Sequence, residues 1–224
     1  MEQSADRTRL RIVLQTVALV VTVYLAWIGA HLTKGLLDDR VAWLKTSGGG
    51  FAYWTVMKVL LWIAPSLWLV RVSGQKLRDA FGLSHLRRAV LWGSSVGLAL
   101  ALITTAAKAV QHQPLFDRSL DWGFINAVVI APLFEEFMFR GAVLGALMQR
   151  YRFAVANVIT ALLFLGLHLP GWYFQGRLWE HLTALIGGAL AIFLLGLLFG
   201  LATHRGKSLI AGILAHAISN LFSL

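Results

Sequence analysis

The sequence contains no cysteine and few charged residues, and both absences narrow the range of possible functions. Without cysteine the protein can form no disulfide, no thiolate nucleophile and no cysteine metal site. Only 13% of its 224 residues are charged, whereas 58% are hydrophobic, and the mean hydropathy is +0.72. Soluble domains carry about 25% charged residues. The composition therefore predicts an integral membrane protein whose chemistry uses side chains other than cysteine.

Seven hydrophobic stretches approach the roughly 20 residues that a helix needs to cross the hydrocarbon of a bilayer. We therefore predict an all-α, polytopic membrane helix bundle with about seven transmembrane helices. The predicted spans are residues 12–32, 51–70, 89–110, 122–148, 153–169, 182–203 and 208–224.

The basic residues fall unevenly on the two sides that alternate along these spans. One side collects twelve of the twenty Lys and Arg and the other collects six, while Lys58 and Arg140 lie within spans. Because cytoplasmic loops carry the excess of basic residues, we predict a cytoplasmic N-terminus and an external C-terminus. The net charge of +10 then faces anionic lipid and not nucleic acid. The twelve are Arg7, Arg9, Arg11, Arg71, Lys76, Arg78, Arg87, Arg88, Arg150, Arg152, Arg205 and Lys207, and the six are Lys34, Arg40, Lys45, Lys108, Arg118 and Arg177.

Three local patterns complete the outline of the fold. Residues 71–88 mix basic and apolar side chains, which predicts a cytoplasmic interfacial helix on the lipid headgroups. The glycine-rich stretch 46–50 predicts a flexible outer loop. The Gly-x-x-x-Gly spacings at 141–145 and 196–200 predict close helix packing.

Two glutamates lie deep in a predicted span, in the stretch Leu133 to Gly141 that reads LFEEFMFRG, while the other eight acids lie in loops, tails or span ends. A charge near the bilayer centre costs about 2.5–3.5 kcal/mol on insertion scales, so an acidic pair indicates a function. The i,i+4 spacing of Glu136 and Arg140 predicts an ion pair on one helix face. Glu135 is rotated about 100° away and has no such partner, which suits a general base.

Two histidines and an asparagine belong to the same polar set. His168 is predicted at the end of the fifth span, where Pro170 and Gly171 would stop the helix. His216 lies in the middle of the last span, and Asn220, one turn later, shares its face. Together with the two glutamates they form a buried polar cluster that needs a common explanation. The other histidines are predicted at span ends or in loops, without a role, and are His31, His85, His112, His181 and His204.

Other catalytic templates do not fit. The chain has no HExxH motif for a zinc protease, and no predicted span holds a pair of aspartates. Gly93-Ser94-Ser95 resembles a serine-nucleophile turn only faintly, because small polar residues in spans are common packing groups.

Three motifs, Glu135-Glu136-x-x-x-Arg140, Phe164-x-x-x-His168 and His216-x-x-x-Asn220, follow one another on successive hydrophobic segments. In this order they resemble the CAAX-protease and bacteriocin-processing (CPBP) family of intramembrane proteases, also called the Abi family. Members of this family have been described as metalloproteases and as glutamate-dependent proteases. Eukaryotic members trim the last three residues of prenylated proteins, and prokaryotic members are associated with bacteriocin maturation or immunity and with processing of other membrane-linked peptides.

The resemblance covers about residues 120–224. It implies that this part is a CPBP-like catalytic core, to which residues 1–119 add N-terminal transmembrane helices within one integrated membrane domain. The implied activity is endoproteolysis at or in the membrane. The implied partners are membrane lipids and a membrane-associated protein or peptide substrate.

Peptide hydrolysis also agrees with the chemistry of these residues. We predict that Glu135 takes a proton from water, with His168 positioning that water or relaying the proton. Glu136, tied to Arg140, would hold the helix face and the local field in place. No covalent intermediate is needed.

The roles predicted for His216 and Asn220 depend on whether the site holds a metal ion. His216 and Asn220 would donate hydrogen bonds to the tetrahedral oxyanion. A zinc ion held by Glu135, His168 and His216 is the alternative, with one position left for water. We favour the version without a cofactor, because the Glu136 pair brings a cation close to such a metal and asparagine is a poor zinc ligand.

The depth of the predicted site in the bilayer, and the side of the membrane to which it opens, limit the possible substrates. His168 lies about 24 Å from the cytoplasmic start of its span at 1.5 Å per residue, so the site is expected to open outward. A prenyl-cysteine protease has to accept a cytoplasmic C-terminus, which argues against that substrate here. We expect a prokaryotic inner or plasma membrane protein.

Two interpretations from other classes stay open. A proton-coupled transporter would use Glu135, His168 and His216 as a relay and needs a continuous polar path through the bilayer. A non-catalytic immunity or binding protein would keep the same residues on the same fold without turnover.

Overall fold

Over the described residues the chain is helical and contains no strand, as the sequence predicts. The computed structural model describes residues 2–114, 120–184 and 187–223, with side chains from residue 7 onward. Arg118 and the predicted domain boundary after residue 119 lie outside this range. The helices are α1 (Glu2–Asp38), α2 (Ser47–Val72), α3 (Leu77–Phe81), α4 (Leu86–Val110), α5 (122–147), α6 (Phe153–Phe174), α7 (Leu178–Thr183), α8 (Ala189–Gly206) and α9 (Leu209–Ser223).

Helices occupy all seven predicted spans, and five of them are long and apolar enough to cross a membrane within the described residues. The helices in the two other predicted spans, α5 and α9, do not meet this criterion. α5 carries Glu135, Glu136 and Arg140, and α9 is apolar but only 15 residues long. The chain is therefore a polytopic helical membrane protein. The five are Arg7–Asp38, Ser47–Val72, Leu77–Val110, Phe153–Phe174 and Ala189–Gly206.

Two predicted helix ends were wrong. α6 does not stop before Pro170 but continues through it to Phe174. Membrane helices tolerate proline where neighbouring groups satisfy the freed backbone, and Phe174 stacks on His31 of α1 at 5.0 Å. The sixth span begins at Ala189 and not at 182, because α7 is a separate short helix and Gly187 turns the chain with φ of 72°.

The glycine-rich stretch 46–50 is not a flexible loop. Thr46 caps α2 by accepting a hydrogen bond from the backbone N–H of Gly49 at 3.1 Å, a standard N-cap. A Cβ atom at Gly49 would lie 2.1 Å from the carbonyl oxygen of Trp43. The glycine is needed because two backbone segments touch there.

Prolines shape both helices that border the site. α2 widens into a π-helical turn at Val59–Ile63 just before Pro65, and α5 does so at Asn126–Ile130 just before Pro132. Proline has no N–H to donate and its ring clashes with the carbonyl four residues earlier, so a wider turn relieves both problems. A third π-helical segment, Phe137–Val143, contains Arg140 and no proline.

Several of the predicted basic ends of the spans meet at one end of the bundle, which we call the basic end. There Arg88 donates to the carbonyl of Arg205, and Gln149 donates to the carbonyl of Ser73 at 2.8 Å. The predicted interfacial helix 71–88 is shorter than expected: it reduces to α3 and a turn at Leu83–His85, because its first and last residues belong to α2 and α4.

The opposite end of the bundle is aromatic. It is where α1 and α6 end and where α2 and α5 begin, and Phe51 stacks on Trp122 there at 4.9 Å.

α5 lies at the centre of the bundle. Residues 135–144 are buried without interruption, with α1, α2 and α6 around one side and α8 and α9 around the other. Both predicted small-residue spacings allow close contacts. A Cβ atom at Gly196 would lie 3.0 Å from that of Ala161 in α6, and one at Gly145 would lie 1.9 Å from the side chain of Gln75.

Candidate active site

Glu136, Arg140 and His216 form a buried, hydrogen-bonded cluster. Glu136 Oε1 accepts a hydrogen bond from Arg140 Nη1 at 3.0 Å, which confirms the predicted i,i+4 ion pair. The same oxygen lies 3.0 Å from His216 Nδ1 on α9. The three residues are 0%, 3% and 5% exposed. Glu136 thus links the first and the last of the three sequence motifs across 80 residues of chain.

Groups from other helices contact Arg140 as well, although its buried Nε has no hydrogen-bond partner among the described residues. Its Nη2 donates to the carbonyl oxygen of Gly196 on α8 at 2.8 Å. Its guanidinium carbon lies 4.5 Å from the ring centre of Phe164 on α6, within the range of a cation–π interaction. Because an unpaired buried charge is strongly destabilising, these contacts hold α5 against α6 and α8.

Glu135 has different surroundings from its neighbour Glu136. Within the described part of the chain no Lys or Arg nitrogen lies within 4.0 Å of its carboxylate. Its Oε2 is 4.0 Å from His216 Nε2, and its side chain is 11% exposed whereas that of Glu136 is fully buried. Glu136 is therefore fixed by Arg140, whereas Glu135 lacks such an arginine partner, as the sequence predicts.

His168 presents one ring nitrogen for chemistry. Its Nδ1 lies 2.9 Å from the carbonyl oxygen of Phe164, one turn earlier in α6. A carbonyl only accepts hydrogen bonds, so Nδ1 carries the proton and Nε2 of the neutral ring is an acceptor. The ring meets Phe164 edge-on at 4.9 Å, which fixes its orientation.

The same reasoning assigns the donor nitrogen of the His216 ring. An ionised Glu136 only accepts, so His216 Nδ1 is a donor and Nε2 of the neutral ring is an acceptor. The ring stacks on Phe199 at 4.5 Å with an interplanar angle of 16°. A hydrogen bond from Nε2 to an oxyanion therefore requires the doubly protonated ring, a condition that the sequence did not reveal.

Asn220 stands apart from this cluster. Its Nδ2 donates to the carbonyl oxygen of Ala127 at 2.7 Å, and Ala127 belongs to the π-helical turn of α5 before Pro132. None of its described contacts is to another predicted site residue. Asn220 therefore joins the end of α9 to the start of α5, and its second N–H is left for other partners.

A cavity of about 540 Å³ connects the site with the opposite end of the bundle. Its wall includes Glu135 and His168 but not Glu136, Arg140 or His216. The rim includes residues of the turn before α2. Five tryptophans line the cavity: Trp27, Trp54, Trp62, Trp122 and Trp172.

The cavity also contains a polar pair that the sequence did not assign to the site. Lys58 is 6% exposed and its Nζ donates to Asn126 Oδ1 at 2.8 Å. Both residues line the cavity with Glu135. The signal available in the sequence was a lysine within an apolar span, to which the sequence analysis assigned no role.

Gly212 is a second residue that the sequence did not single out. A Cβ atom there would lie 2.8 Å from Glu136 Oε2 and 2.3 Å from Thr203 Oγ1. Only glycine lets α9 come this close to the buried carboxylate. Without that approach His216, one turn later in α9, would move away from Glu136.

We predict that Gly212→Ala destabilises the protein by about 1–3 kcal/mol through overpacking and lowers activity, because Glu136 and α9 must separate. The thermal midpoint of the purified protein should fall by about 2–12 °C. Gly29→Ala is the matched control, since nothing lies within 4 Å of a Cβ atom at that position of α1. Equal midpoints for the two variants would contradict the assigned contact.

The predicted zinc ligands are not assembled as a metal site. Over the described residues no three His, Asp or Glu side chains are grouped closely enough to hold one metal ion. Glu135 Oε2 and His216 Nε2 approach to 4.0 Å, but His168 does not complete the set. No step of the chemistry below passes through a metal.

Residues 118–222 match the family model described as Rce1-like, type II CAAX prenyl endopeptidase. The matched segment contains all six predicted site residues, the helices α5 to α8, and α9 except for its last residue. No curated protein and no solved structure matches the chain significantly.

Proposed function

We propose, from the premise that residues 118–222 form an Rce1-like domain of the CPBP family of intramembrane endopeptidases, that this protein cleaves peptide bonds with water activated by Glu135. The family acts on membrane-associated proteins, and such a protein or peptide is the proposed substrate. One observation carries the mechanism: two adjacent buried glutamates have different surroundings, and Glu135, which has no Lys or Arg nitrogen within 4.0 Å among the described residues, faces the cavity.

The first step is the attack of water on the substrate carbonyl. Glu135 takes one proton from a water molecule held between its carboxylate and His168 Nε2, and the remaining hydroxide forms the new C–O bond. The carbonyl electron pair moves to oxygen and gives a tetrahedral oxyanion. Protonated His216 and the free N–H of Asn220 are the proposed donors to this oxyanion.

The second step breaks the C–N bond. The proton on Glu135 passes to the leaving nitrogen, directly or through His168, and the products are a free amine and a new carboxylate. Glu136 and Arg140 touch no reacting atom in this scheme. They are positioning residues, because Glu136 fixes the ring of His216 and Arg140 fixes Glu136.

The proposed site opens to the outside of the cell. The cavity reaches the end of the bundle away from the basic end, and the excess of basic residues favours a cytoplasmic basic end. A cytoplasmic prenylated C-terminus would approach from the wrong side. A secreted or externally exposed membrane peptide in a prokaryote is therefore the proposed substrate class.

Orientation gives a direct test. We predict that alkaline phosphatase fused after Leu224 is active in intact bacterial cells, because α9 runs from the basic end to the outer end. A fusion to the turn at Leu83–His85 should be inactive, since this turn lies at the basic end. The reverse result for the two fusions would place the cavity mouth in the cytoplasm.

Metal dependence is tested separately. We predict that the purified protein keeps its peptidase activity after dialysis against 1,10-phenanthroline, because Glu135 activates water without a Lewis acid. Elemental analysis of the dialysed protein confirms that it carries no zinc. Activity that disappears with the metal and returns with added zinc would establish the alternative set of Glu135, His168 and His216.

The transporter interpretation has little support in the fold. Beyond the site and toward the basic end, α5 presents apolar buried side chains, including Phe139, Val143 and Leu147. Gln75, which donates to the carbonyl oxygen of Ala142 beside this stretch at 3.2 Å, is not part of the cavity wall.

The decisive experiment for proteolysis compares peptide termini of membrane and secreted proteins in cells that produce the wild type or Glu135→Gln at equal abundance. Termini that appear only with the wild type would establish proteolysis and identify the substrate. Identical termini under several growth conditions would favour a non-catalytic binding protein.

A further inference from the structure

A polar pocket lies at the basic end of the bundle, away from the cavity next to Glu135. It has a volume of about 620 Å³ and lies between the turn at Leu83–His85, which follows α3, and Lys207, one of the two residues that join α8 to α9. Arg78 of α3 also lines it. The wall of this pocket shares no residue with the wall of the cavity.

Two backbone turns that touch each other give the pocket its shape. Gly82 and Lys207 both have left-handed backbone conformations, with φ of 54° and 52°. A Cβ atom at Gly82 would lie 2.1 Å from the carbonyl oxygen of Lys207, so only glycine allows this contact. Ser208, which is 2% exposed, donates from its hydroxyl to the carbonyl oxygen of Phe81. The wall is therefore built on packed backbone, whereas its charged side chains are exposed.

The pocket carries positive charge without close acidic partners. Among the described residues no carboxylate lies within 4.0 Å of the side-chain nitrogens of Arg78 or Lys207. Asp79 is the one acid that lines the pocket in this part of the chain, so one net positive charge remains, and a second arises when His85 is protonated. The surrounding residues 76–88 and 204–207 contain six Lys and Arg and one acid. The pocket therefore lies in a basic region that attracts anions.

Exposed leucines lie next to these charges. Leu77, Leu83 and Leu86 are 40%, 62% and 50% exposed, and Leu83 is itself part of the wall. Arg and Lys are the side chains that bind phosphate groups, while leucines gain free energy when an apolar group covers them. A soluble phosphate would leave the leucines in water. A ligand that carries both a phosphate and an apolar chain satisfies both parts of this surface.

We infer that the pocket binds the headgroup of an anionic phospholipid, with the phosphate between Arg78 and Lys207 and the acyl chains over the exposed leucines. Basic pockets between membrane helices on the cytoplasmic side bind acidic headgroups, and the excess of basic residues favours the cytoplasmic side for this end of the bundle. Asp79 is compatible with a glycerol headgroup, because a hydroxyl of the headgroup can donate to its carboxylate.

The bound headgroup links α3 to the start of α9. Arg78 belongs to α3, and Lys207 leads into α9, the helix that brings Gly212 and His216 against Glu136. A ligand that binds only the folded protein stabilises it, so the lipid should raise the thermal midpoint. Binding and stability are both measured without turnover. The inference therefore stands or falls independently of the proposed peptidase.

The test measures lipid binding to the purified full-length protein in neutral detergent micelles, which present no charged surface. Native mass spectrometry gives the dissociation constant of the first bound lipid for phosphatidylglycerol and for zwitterionic phosphatidylcholine, and that of free glycerol phosphate. We expect phosphatidylglycerol to bind at least about 30-fold more tightly than the other two. Equal binding of the two lipids would overturn the inference. Glycerol phosphate that binds as tightly as phosphatidylglycerol would identify a soluble phosphate as the ligand and overturn the assignment to a lipid.

Variants then assign the binding to the pocket. Arg78→Gln with Lys207→Gln should weaken the binding of phosphatidylglycerol about 30-fold, since each basic side chain near a headgroup contributes roughly 5-fold. Arg71→Gln with Arg87→Gln is the matched control, because it removes the same charge from exposed positions of the basic end outside the pocket wall. The control should change binding less than about threefold. An equal loss in both double variants would show diffuse attraction to the whole basic end and overturn the inference.

Thermal midpoints show whether the pocket variant is folded. Without lipid, Arg78→Gln with Lys207→Gln should keep the wild-type midpoint, because both side chains are exposed and have no acidic partner within 4.0 Å among the described residues. Phosphatidylglycerol at 100 times its dissociation constant should raise the wild-type midpoint by about 5–11 °C, and that of the variant by only about 2–3 °C. The same rise in both proteins would contradict a headgroup site at these residues.

Discussion

Glu135→Gln should lower peptide cleavage by about 10²–10⁴-fold, the usual contribution of a general base, while the protein folds as before. The amide has nearly the shape of the carboxylate but cannot take a proton from water. Among the described residues no Lys or Arg nitrogen lies within 4.0 Å of the Glu135 carboxylate, and the charge contact that the substitution weakens is the 4.0 Å approach of its Oε2 to His216 Nε2. The measurement is kcat on a peptide that the wild type cleaves, with the thermal midpoint recorded on the same preparation.

The outcome distinguishes hydrolysis from sequestration. A binding protein should tolerate this nearly isosteric change, so unchanged biological activity with Glu135→Gln would refute the proposed mechanism. Glu180→Gln is a suitable control, since this glutamate is exposed, pairs with Arg177 and lies on α7 away from the cavity wall. It should retain wild-type turnover and a wild-type midpoint.

Arg140→Met should have the largest effect on stability, lowering the free energy of unfolding by about 3–5 kcal/mol. The change leaves Glu136, which is fully buried, without its cation, and it also removes the hydrogen bond to Gly196 and the contact with Phe164. For a chain of this length the thermal midpoint should fall by about 6–20 °C. Differential scanning fluorimetry of the nanodisc-embedded protein measures this shift.

The double variant Glu136→Gln with Arg140→Met separates stability from function. Removing both charges of a buried pair is often nearly neutral for stability, so the midpoint should recover most of the loss. Activity should stay low, because His216 has lost the carboxylate that orients its ring. Recovery of activity together with stability would show that the pair only holds the helices together.

The sequence predicted those features that arise from local rules. The apolar length of a span is set by bilayer thickness, so all seven helices could be located, although the first is longer than predicted and the sixth begins seven residues later. The pairing of Glu136 with Arg140 follows from i,i+4 geometry within one helix. The same geometry left Glu135 without a basic partner on its own helix, and in the structure the residue that approaches its carboxylate to 4.0 Å, His216, lies on α9.

Features that depend on packing between distant segments could not be predicted in this way. The bond between His216 Nδ1 and Glu136 joins two helices, and the sequence gave no information about which ring nitrogen is engaged. Gly212 is one of 21 glycines, and only the position of the Glu136 carboxylate distinguishes it. Pro170 was mistaken for a helix end because the rule used applies to helices in water, whereas α6 continues through it among neighbouring helices.

The partners of the charged residues on α5 also determine how this protein can enter a bilayer during its synthesis. Arg140 bonds to Gly196, and Glu136 bonds to His216, and both partners leave the ribosome after α5. A helix with three charges is poorly accepted by lipid alone, at about 2.5–3.5 kcal/mol for each charge near its centre. α5 therefore has to wait beside the insertion machinery, or among the helices already inserted, until α8 and α9 arrive and the bundle closes around it.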